Sequence, residues 1–465
     1  MKDLFETQTT GHSPVEEENE LAVPMRLPLR DKDLPPIFRE VVSNAPTSRK
    51  LPSFVACLSP LCALATRVRV KYYYDGQRIS ALLLQVVIEG PQSSGKQFAA
   101  DIERLIMDGT LKARDQEQRR EEQEYREKKR RRKANENIGE EPHTDIRVIP
   151  ATISKTVIVK RSDYHERFLG AVVTFWMFAE ELAQVTDAGK QGYSNLRTIM
   201  RTSYDFGSRF GMDFASDNSY SAIVDINICS MFCSTPSALD DYFDNKAIEG
   251  GNITRTVLCQ LEDQIGADGA MFKPYTDEQM AVVNRTLSRM MDDTYTADGR
   301  LQPEMHLDMS WLDKDVRKWC VRMGTEALKA ASVSMDVFRK RASVSAFRAA
   351  TLCYYLYRLE GEVSDTLAQN RCRRIYLFMA DYILSMMLKR WGKKYEELLR
   401  KREEKTPQEG QVKLIDRLPD VFSREQLRTL IKEHNVATPD RVLISQWRAK
   451  GLIETVEKFQ YRKLS

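Results

Sequence analysis

The sequence predicts an α/β protein with a phosphate-loop core, an α-helical lid and a C-terminal winged helix. Three observations predict it. The stretch Gly90-Pro91-Gln92-Ser93-Ser94-Gly95-Lys96-Gln97 stands between an apolar run and an amphipathic helix. Residues 326–400 carry long Leu, Met and Tyr periodicities with little Gly and no Pro. From Gln411 to Ser465 a capped helix, a second helix and two hairpin-forming segments follow one another. The boundaries expected from these shifts are a disordered tail over 1–33, a phosphate-loop domain over 34–325 with a charged helical insertion at 112–135, a lid over 326–405 and a winged helix over 411–465.

The glycine-rich stretch carries the chemistry. The apolar run Ala81 to Ile88 reads as a buried strand, and Phe98, Ile102, Leu105 and Ile106 mark one face of the helix after the loop. A turn between strand and helix points backbone N–H groups at an anion and adds the positive end of the helix dipole. Lys96 is placed to reach the outer phosphates of a nucleotide. Gln97 occupies the position where Ser or Thr normally holds magnesium; its amide oxygen can substitute, or the metal is held through water. ATP with Mg2+ is the expected ligand.

Composition bounds the alternatives. With 465 residues, 42% hydrophobic and 30% charged, the chain suits a multidomain globular protein. No apolar run has the length of a membrane span, and Met1 to Glu20 lacks the character of a signal peptide, so the cytoplasm is expected. The eight cysteines include no CxxC pair and the five histidines are scattered, which favours buried thiols over a metal site. The net charge of +4 equals the excess of the tail alone, where eleven Lys/Arg face seven Asp/Glu from Gln411 to Ser465. That excess suits an anionic polymer as partner.

Along the chain, residues 1–33 are acid-rich and polar. Helix is expected from Leu34 and again over Ser53 to Ala65, where Pro60 is the place for a kink. Val68 to Tyr74 and Arg78 to Ile88 flank Asp75-Gly76 as a hairpin. Lys112 to Asn135 reads as a long solvated helix ending in the basic run Lys128 to Lys133, and Ile146 to Lys160 as β-type. Ala171 to Phe178 is a second buried strand, followed by Glu180-Glu181. In a parallel sheet its carboxyl end lies beside the phosphate loop, where one acid holds the magnesium shell and the other orients the attacking water.

Ala222 to Cys233 is a third strand ending in Ser234-Thr235-Pro236. Two readings stand for that end: a γ-phosphate sensor, or the turn chemistry common at strand ends. Arg255 opens a fourth strand, Thr256 to Leu261, after Gly250-Gly251. It gains a role where subunits form a ring and place it on a neighbour's phosphate. Arg348 either faces the nucleotide from the lid or is a solvated arginine. Gly189-Lys190-Gln191-Gly192-Tyr193 with Arg197, Arg201 and Arg209 is a basic, aromatic-bearing segment expected to touch nucleic acid.

In the tail, Ser423-Arg424-Glu425-Gln426 is a capping box for a helix through Lys432, and Thr438-Pro439 an N-cap and N1 proline for Asp440 to Lys450. Leu452 to Thr455 and Lys458 to Lys463 pair as the wing. Val442, Leu443 and Trp447 are the expected core side, with Arg441, Gln446, Arg448 and Lys450 toward DNA. Winged helices also serve as protein contacts.

The order of these motifs resembles a known family. Leu34-Pro35-Pro36-Ile37, the helix near Cys57, the loop Gly90 to Lys96, the charged insertion, Ile149-Pro150-Ala151-Thr152, Glu180-Glu181, Ser234-Thr235-Pro236 and Gly251-Asn252-Ile253-Thr254-Arg255 form that series. It is similar to a bacterial P-loop family of formally unknown function from prophages and integrative mobile elements, whose members are described as primase- or helicase-like. The resemblance covers about residues 34–390. More distantly, the Gly-to-Arg segment resembles that of AAA+ minichromosome-maintenance-type helicases, which also carry a winged helix after the ATPase. The resemblance implies an AAA+/RecA-like core forming a ring, possessing ATPase activity and moving along DNA. It implies a phosphate role for Lys96, metal and water roles for Glu180 and Glu181, sensor roles for Ser234 and Arg348, and a trans-acting finger at Arg255.

The expected function is therefore an ATP-dependent DNA-acting motor or replication initiator, helicase-like, on single-stranded or duplex DNA. It works as a homo-oligomer, with a hexamer among the options. The alternative is a nucleotide-gated DNA-binding regulator or scaffold with little hydrolysis, which Gln97 favours. Primase chemistry lacks a carboxylate cluster of its own here, so a primase partner would be a separate chain.

Overall fold

The structure, a computed structural model, describes residues 23–74, 78–132, 137–190, 196–213, 220–262, 269–405, 414–434, 436 and 438–464. Its contacts divide the chain into two units, Met1–Lys393 and Lys394–Ser465.

In the first unit, helices Pro36–Asn44 and Lys50–Leu64 precede β1 (Val68–Lys71) and β2 (Ile79–Ala81). There follow β3 (Gln85–Glu89), β4 (Val148–Pro150), β5 (Thr174–Ala179), β6 (Arg209–Met212), β7 (Ala222–Asp225), β8 (Asn227–Ser234), β9 (Thr256–Gln260) and β10 (Met305–His306). Five of them form one parallel sheet in the order β4-β5-β8-β3-β9. Both β3 and β8 are buried along their whole length, which is why they read as apolar runs rather than alternating ones. Helix Lys50–Leu64 is buried from Leu51 to Leu64 and packs across β3, β5 and β8. Its Ser59 hydroxyl lies 2.7 Å from the Leu84 carbonyl oxygen and 2.9 Å from that of Ser230, tying the helix to the entry of β3 and the middle of β8. The helix runs through Pro60.

The fold departs from the sequence expectations at several joints. The run Arg78 to Ile88 is two strands, not one. Ile79–Ala81 pairs antiparallel with β1, and Gln85–Glu89 enters the parallel sheet. Between them the Leu83 carbonyl accepts from Arg348, while that of Leu84 accepts both the Ser59 hydroxyl and the Ser230 N–H, where the pairing with β8 begins. Asp75-Gly76 lies outside the described residues. Ala222 to Cys233 likewise breaks at Ile226, giving a β6–β7 hairpin and then β8. Ile146 to Lys160 is β-type only at β4 and turns helical at its end, where Ser154 caps Lys155–Tyr164 by accepting from Val157 N. The acid strand is not the neighbour of the loop strand, because β8 intervenes. Residues 23–33, expected in the tail, are packed: Leu29 is buried, Asp33 pairs with Arg371 at 2.7 Å, and Tyr357 Oη donates to the Asp33 carbonyl. The charged segment 112–135 does contain the long helix Ala113–Arg131, and 326–400 is helical over Asp313–Lys329, Val333–Glu360, Asp365–Met387 and Lys393–Lys405. All eight cysteines are free thiols, buried except for Cys320, which is half-buried. No helix among the described residues is long and apolar enough to cross a membrane.

The second unit holds helices Arg424–Glu433 and Asp440–Ala449 against an antiparallel sheet of β11 (Val421–Ser423), β12 (Ile453–Glu457) and β13 (Gln460–Lys463), ordered β11-β13-β12. Ser423 and Gln426 form the capping box. The second helix starts at Asp440 as expected, but with Pro439 rather than Thr438 as its N-cap. Asp440 receives Arg424 at 2.6 Å and Arg428 at 2.7 Å, and the Arg424 hydrogen bond holds its carboxyl down at about 2. The core contains Phe422, Leu427, Leu443, Ile444, Trp447 and Tyr461. Ile444 takes the place expected for Val442, which is exposed, because the inward stripe follows 443, 444 and 447.

Candidate nucleotide site

The site forms at the carboxyl ends of β3, β8 and β5, where three chain exits meet. After β3 the chain turns through Gly90, whose N–H donates to the Ser234 carbonyl at 3.0 Å. A Cβ at Gly90 would collide with Ser94 Oγ and press on Leu261, so any larger residue forces the Ser94 side chain to move. Ser93 and Gly95 take positive φ, 62° and 71°, which curls the loop before the helix Gln97–Met107 begins. Arg49, buried, braces the loop by donating to the Ser94 carbonyl at 3.0 Å. Along the helix Phe98, Ile102 and Ile106 are buried and Leu105 half-buried, as the spacing predicts.

Lys96 folds over the loop, its Nζ 2.8 Å from the Gly90 oxygen and 2.5 Å from that of Pro91. Burial lowers its pKa, while the Cys233 sulfur and the Glu181 carboxylate work the other way. Cys233 is itself pushed up to about 12 by burial, so its thiol is neutral and Glu181 is the charge that matters at neutral pH. A cleft of about 490 Å³ opens here between Gln92, Ser93 and Lys96 on one wall and Glu180, Glu181, Ser234 and Thr235 on the other. Its size suits a nucleotide. Thr235 caps the helix Pro236–Tyr242 and the Ser234 hydroxyl donates to the Thr235 carbonyl at 2.8 Å, so turn chemistry and cleft placement coexist at this strand end.

The expected residues divide sharply by place. Gly90 to Lys96, Glu180, Glu181 and Ser234 are brought together. Gln97 opens the helix exposed and is not on the cleft wall. Arg348 is neither solvated nor near the loop. It is 3% exposed and donates to the carbonyls of Leu83 (2.7 Å) and Tyr204 (2.9 Å), at the amino end of the sheet. Arg255 precedes β9, whose first residue pairs with Gln85, so it also sits at the amino end, about 13 Å of strand away from the loop. It is paired with Asp205 at 2.9 Å.

Arg197 binds Asp244 at 2.7 Å and the Asp241 carbonyl, and Arg201 donates to the Gly250 carbonyl; both are tied to neighbouring segments of their own chain. The Lys190 side chain and residues 191–195 lie outside the described parts. In the second unit Arg441, Gln446, Arg448 and Lys450 are all exposed.

One cluster was not expected from the sequence. Glu89, the buried last residue of β3, receives Arg390 Nε at 3.0 Å and Gln260 Nε2 at 2.7 Å. Arg390 also meets Asp240 at 3.0 Å and the Pro236 carbonyl at 3.3 Å. It thus links the helical segment to both the loop strand and the turn after Ser234. The available signal was an acid closing an otherwise apolar strand, since a buried carboxylate requires a cation or several donors.

The oxygen donors of Glu180 and Glu181 suit Mg2+, which is commonly held by one or two carboxylates plus phosphate oxygens and water. Comparison with protein-family models and with curated proteins returned no match for this chain.

Proposed function

We propose that the chain is a P-loop ATPase of AAA+ type with a C-terminal winged helix: an ATP-dependent, DNA-acting motor or replication initiator, helicase-like, of a prophage or mobile element. The observation that carries the reading is the convergence of Lys96, Glu180, Glu181 and Ser234 around one cleft at the carboxyl end of a parallel sheet. Strand order supports it: β8 lies between the loop strand and the acid strand, which sets Ser234 midway between Lys96 and the two acids.

On this reading the loop N–H groups and Lys96 hold the phosphates of ATP. Mg2+, when bound, neutralises developing charge on the phosphates. Glu180 and Glu181 would between them hold its water shell and orient the attacking water. Lys96 must leave the Gly90 and Pro91 carbonyls to reach a phosphate. Arg255 cannot reach the cleft of its own chain, so its part is a trans-acting one in an oligomer, entered by release from Asp205. The exposed Arg441, Gln446, Arg448 and Lys450 are the proposed DNA contacts of the second unit.

The test is ATP hydrolysis with and without single-stranded DNA, beside Lys96→Ala and Glu181→Gln. DNA-stimulated turnover is expected, lost in both variants, with ATP binding lost only in Lys96→Ala. ATP binding without turnover in the parent protein would replace the motor with the nucleotide-gated regulator. The placement of Gln97 away from the cleft wall, and the use of Arg197 and Arg201 in internal contacts, favour that second reading.

A further inference from the structure

A second cavity, of about 330 Å³, lies at the opposite end of the sheet from the loop. Its walls are Tyr72, Tyr74 and Arg78 beside β2, the pair Asp205-Phe206, and one stripe of the helix Val333–Glu360. Lys340, Arg341 and Arg348 share that stripe at helical spacing, and Lys340 Nζ is paired with Asp336 one turn earlier at 2.6 Å. Leu83, held by Arg348, and Gly90 stand at opposite ends of β3, about 20 Å apart along the strand, so the two cavities are separate.

The charge here is out of balance. Arg348, Arg341 and Arg255 bring their guanidinium carbons to 4.1, 5.8 and 6.0 Å from the centre of the buried Tyr204 ring. One carboxylate, Asp205, serves two of them, at 2.8 Å from Arg341 and 2.9 Å from Arg255. No carboxylate among the described residues pairs with Arg348, and its buried Nε has no hydrogen-bond partner. Burial lowers the pKa of Arg255, and repulsion from Arg341 adds to it. Cations gathered at low dielectric with too few carboxylates are stabilised by an anion.

The aromatic side gives the anion its class. Tyr74 is 69% exposed, yet its ring is propped by edge-to-face contacts with Tyr72 (4.9 Å, 87°) and Tyr73 (5.2 Å, 80°). Tyr72 is fixed in turn through its hydroxyl, 2.5 Å from Ser343 Oγ, which lies 2.7 Å from Tyr376 Oη. A tyrosine held in place but uncovered is a stacking platform. A platform beside cations selects a base carrying a phosphate, as in sites for single-stranded nucleic acid. An inorganic anion has no use for the ring, and a neutral sugar none for the cations. The volume suits one nucleotide.

We propose that this cavity binds a nucleotide unit, its base stacked on Tyr74 and its phosphate held by Arg341 and by Lys340 on leaving Asp336, with the charge of Arg348 behind them. The unit is either a free nucleotide or one residue of a single strand. The site stands whether or not the loop cleft hydrolyses ATP.

The full chain carrying Lys96→Ala, which silences the loop cleft, is irradiated with two probes. One is 8-azidoadenosine monophosphate; the other is a short oligodeoxythymidine containing 5-iododeoxyuridine. Labelling is expected in the tryptic peptide from Tyr72 to Arg78. Tyr74→Ala and Lys340→Ala, both at exposed side chains, weaken binding of the labelling probe about tenfold, while Tyr74→Phe retains it. Labelling by the mononucleotide assigns a free nucleotide, and labelling by the oligomer alone assigns a strand. No labelling of this peptide by either probe, or labelling indifferent to Tyr74→Ala in a variant that melts like its parent, overturns the proposal. So does labelling that requires an intact Lys96.

Discussion

The two ends of the parallel sheet are built on opposite principles. At the carboxyl end, backbone turns, one lysine and two exposed acids surround an open cleft. At the amino end, buried arginines give most of their donors to backbone carbonyls. Arg147, fully buried, donates to the Thr174 carbonyl at 2.9 Å and to the Ala63 carbonyl, and Tyr295 Oη lies 3.1 Å from its Nη1. Arg348 does the same for Leu83 and Tyr204. The carboxyl end exposes its lysine and acids to one cleft, whereas the buried arginines of the amino end first hold the strands' entries in place, with Arg341 and Arg348 also lining the second cavity. The same residue type therefore predicts different things at the two ends.

The largest effect expected is a clean separation of those roles. Lys96→Ala lowers ATP affinity about a hundredfold, the cost of losing charge-assisted contacts to phosphate, and leaves the melting temperature near the parent value. Arg147→Ala removes the donor of two buried carbonyls and costs about 3 kcal/mol of stability, with ATP affinity of the folded protein unchanged. Isothermal titration and urea unfolding of both variants check it. A large stability loss in Lys96→Ala, or an affinity loss in Arg147→Ala, breaks the comparison.

A smaller effect is expected where the carboxyl end does use a buried ion pair. Arg390→Gln leaves Glu89 buried with Gln260 as its remaining partner and disturbs the strand end that launches the loop. ATP affinity falls about tenfold, the scale of one strained or lost contact. Glu89→Gln added to Arg390→Gln restores most of it, because the stranded charge is then gone. A double variant no better than the single one would mean that Arg390 acts on the nucleotide itself and not through Glu89.

This contrast also explains what the sequence could disclose. The loop was legible because its chemistry is local: Gly90, Gly95 and Lys96 are fixed by backbone geometry within one turn. Glu180-Glu181 and Ser234 were legible as strand ends, since a parallel sheet gathers such ends. The sheet's order was not, because nothing local says that β8 enters between β3 and β5. Arginines were the least legible. Arg348 and Arg390 have similar helical surroundings in sequence, yet one is buried at the amino end and the other bridges Glu89 and Asp240 at the loop. Only tertiary packing distinguishes them. Strand limits were blurred where an apolar run served two sheets, as at Ala81 to Gln85 and at Ile226.

The smallest effect expected is a compensation, and it belongs to the amino end. His165 is buried against Phe175, and burial lowers its pKa from 6.5 to about 4. Asp115 accepts from the backbone N–H of Arg147 at 2.8 Å, yet burial raises its pKa from 3.8 to about 6. The signs oppose. The unfolded chain binds the His165 proton more readily, so that group's contribution is present above pH 6.5 and is lost as pH falls toward 4. The folded chain binds the Asp115 proton more readily, so its penalty stands above pH 6 and is relieved as pH falls toward 3.8. Each slope is at most about 1.4 kcal/mol per pH unit, and over their shared range they largely cancel. In His165→Gln only the Asp115 slope remains. The stability difference between parent and variant, from urea unfolding at a series of pH values, should therefore move against the parent as pH drops from 6.5 to 4. A difference that stays constant across that window would mean that His165 takes up its proton as readily in the folded protein as in the unfolded chain, and that the amino end tolerates one more buried cation than its packing implies.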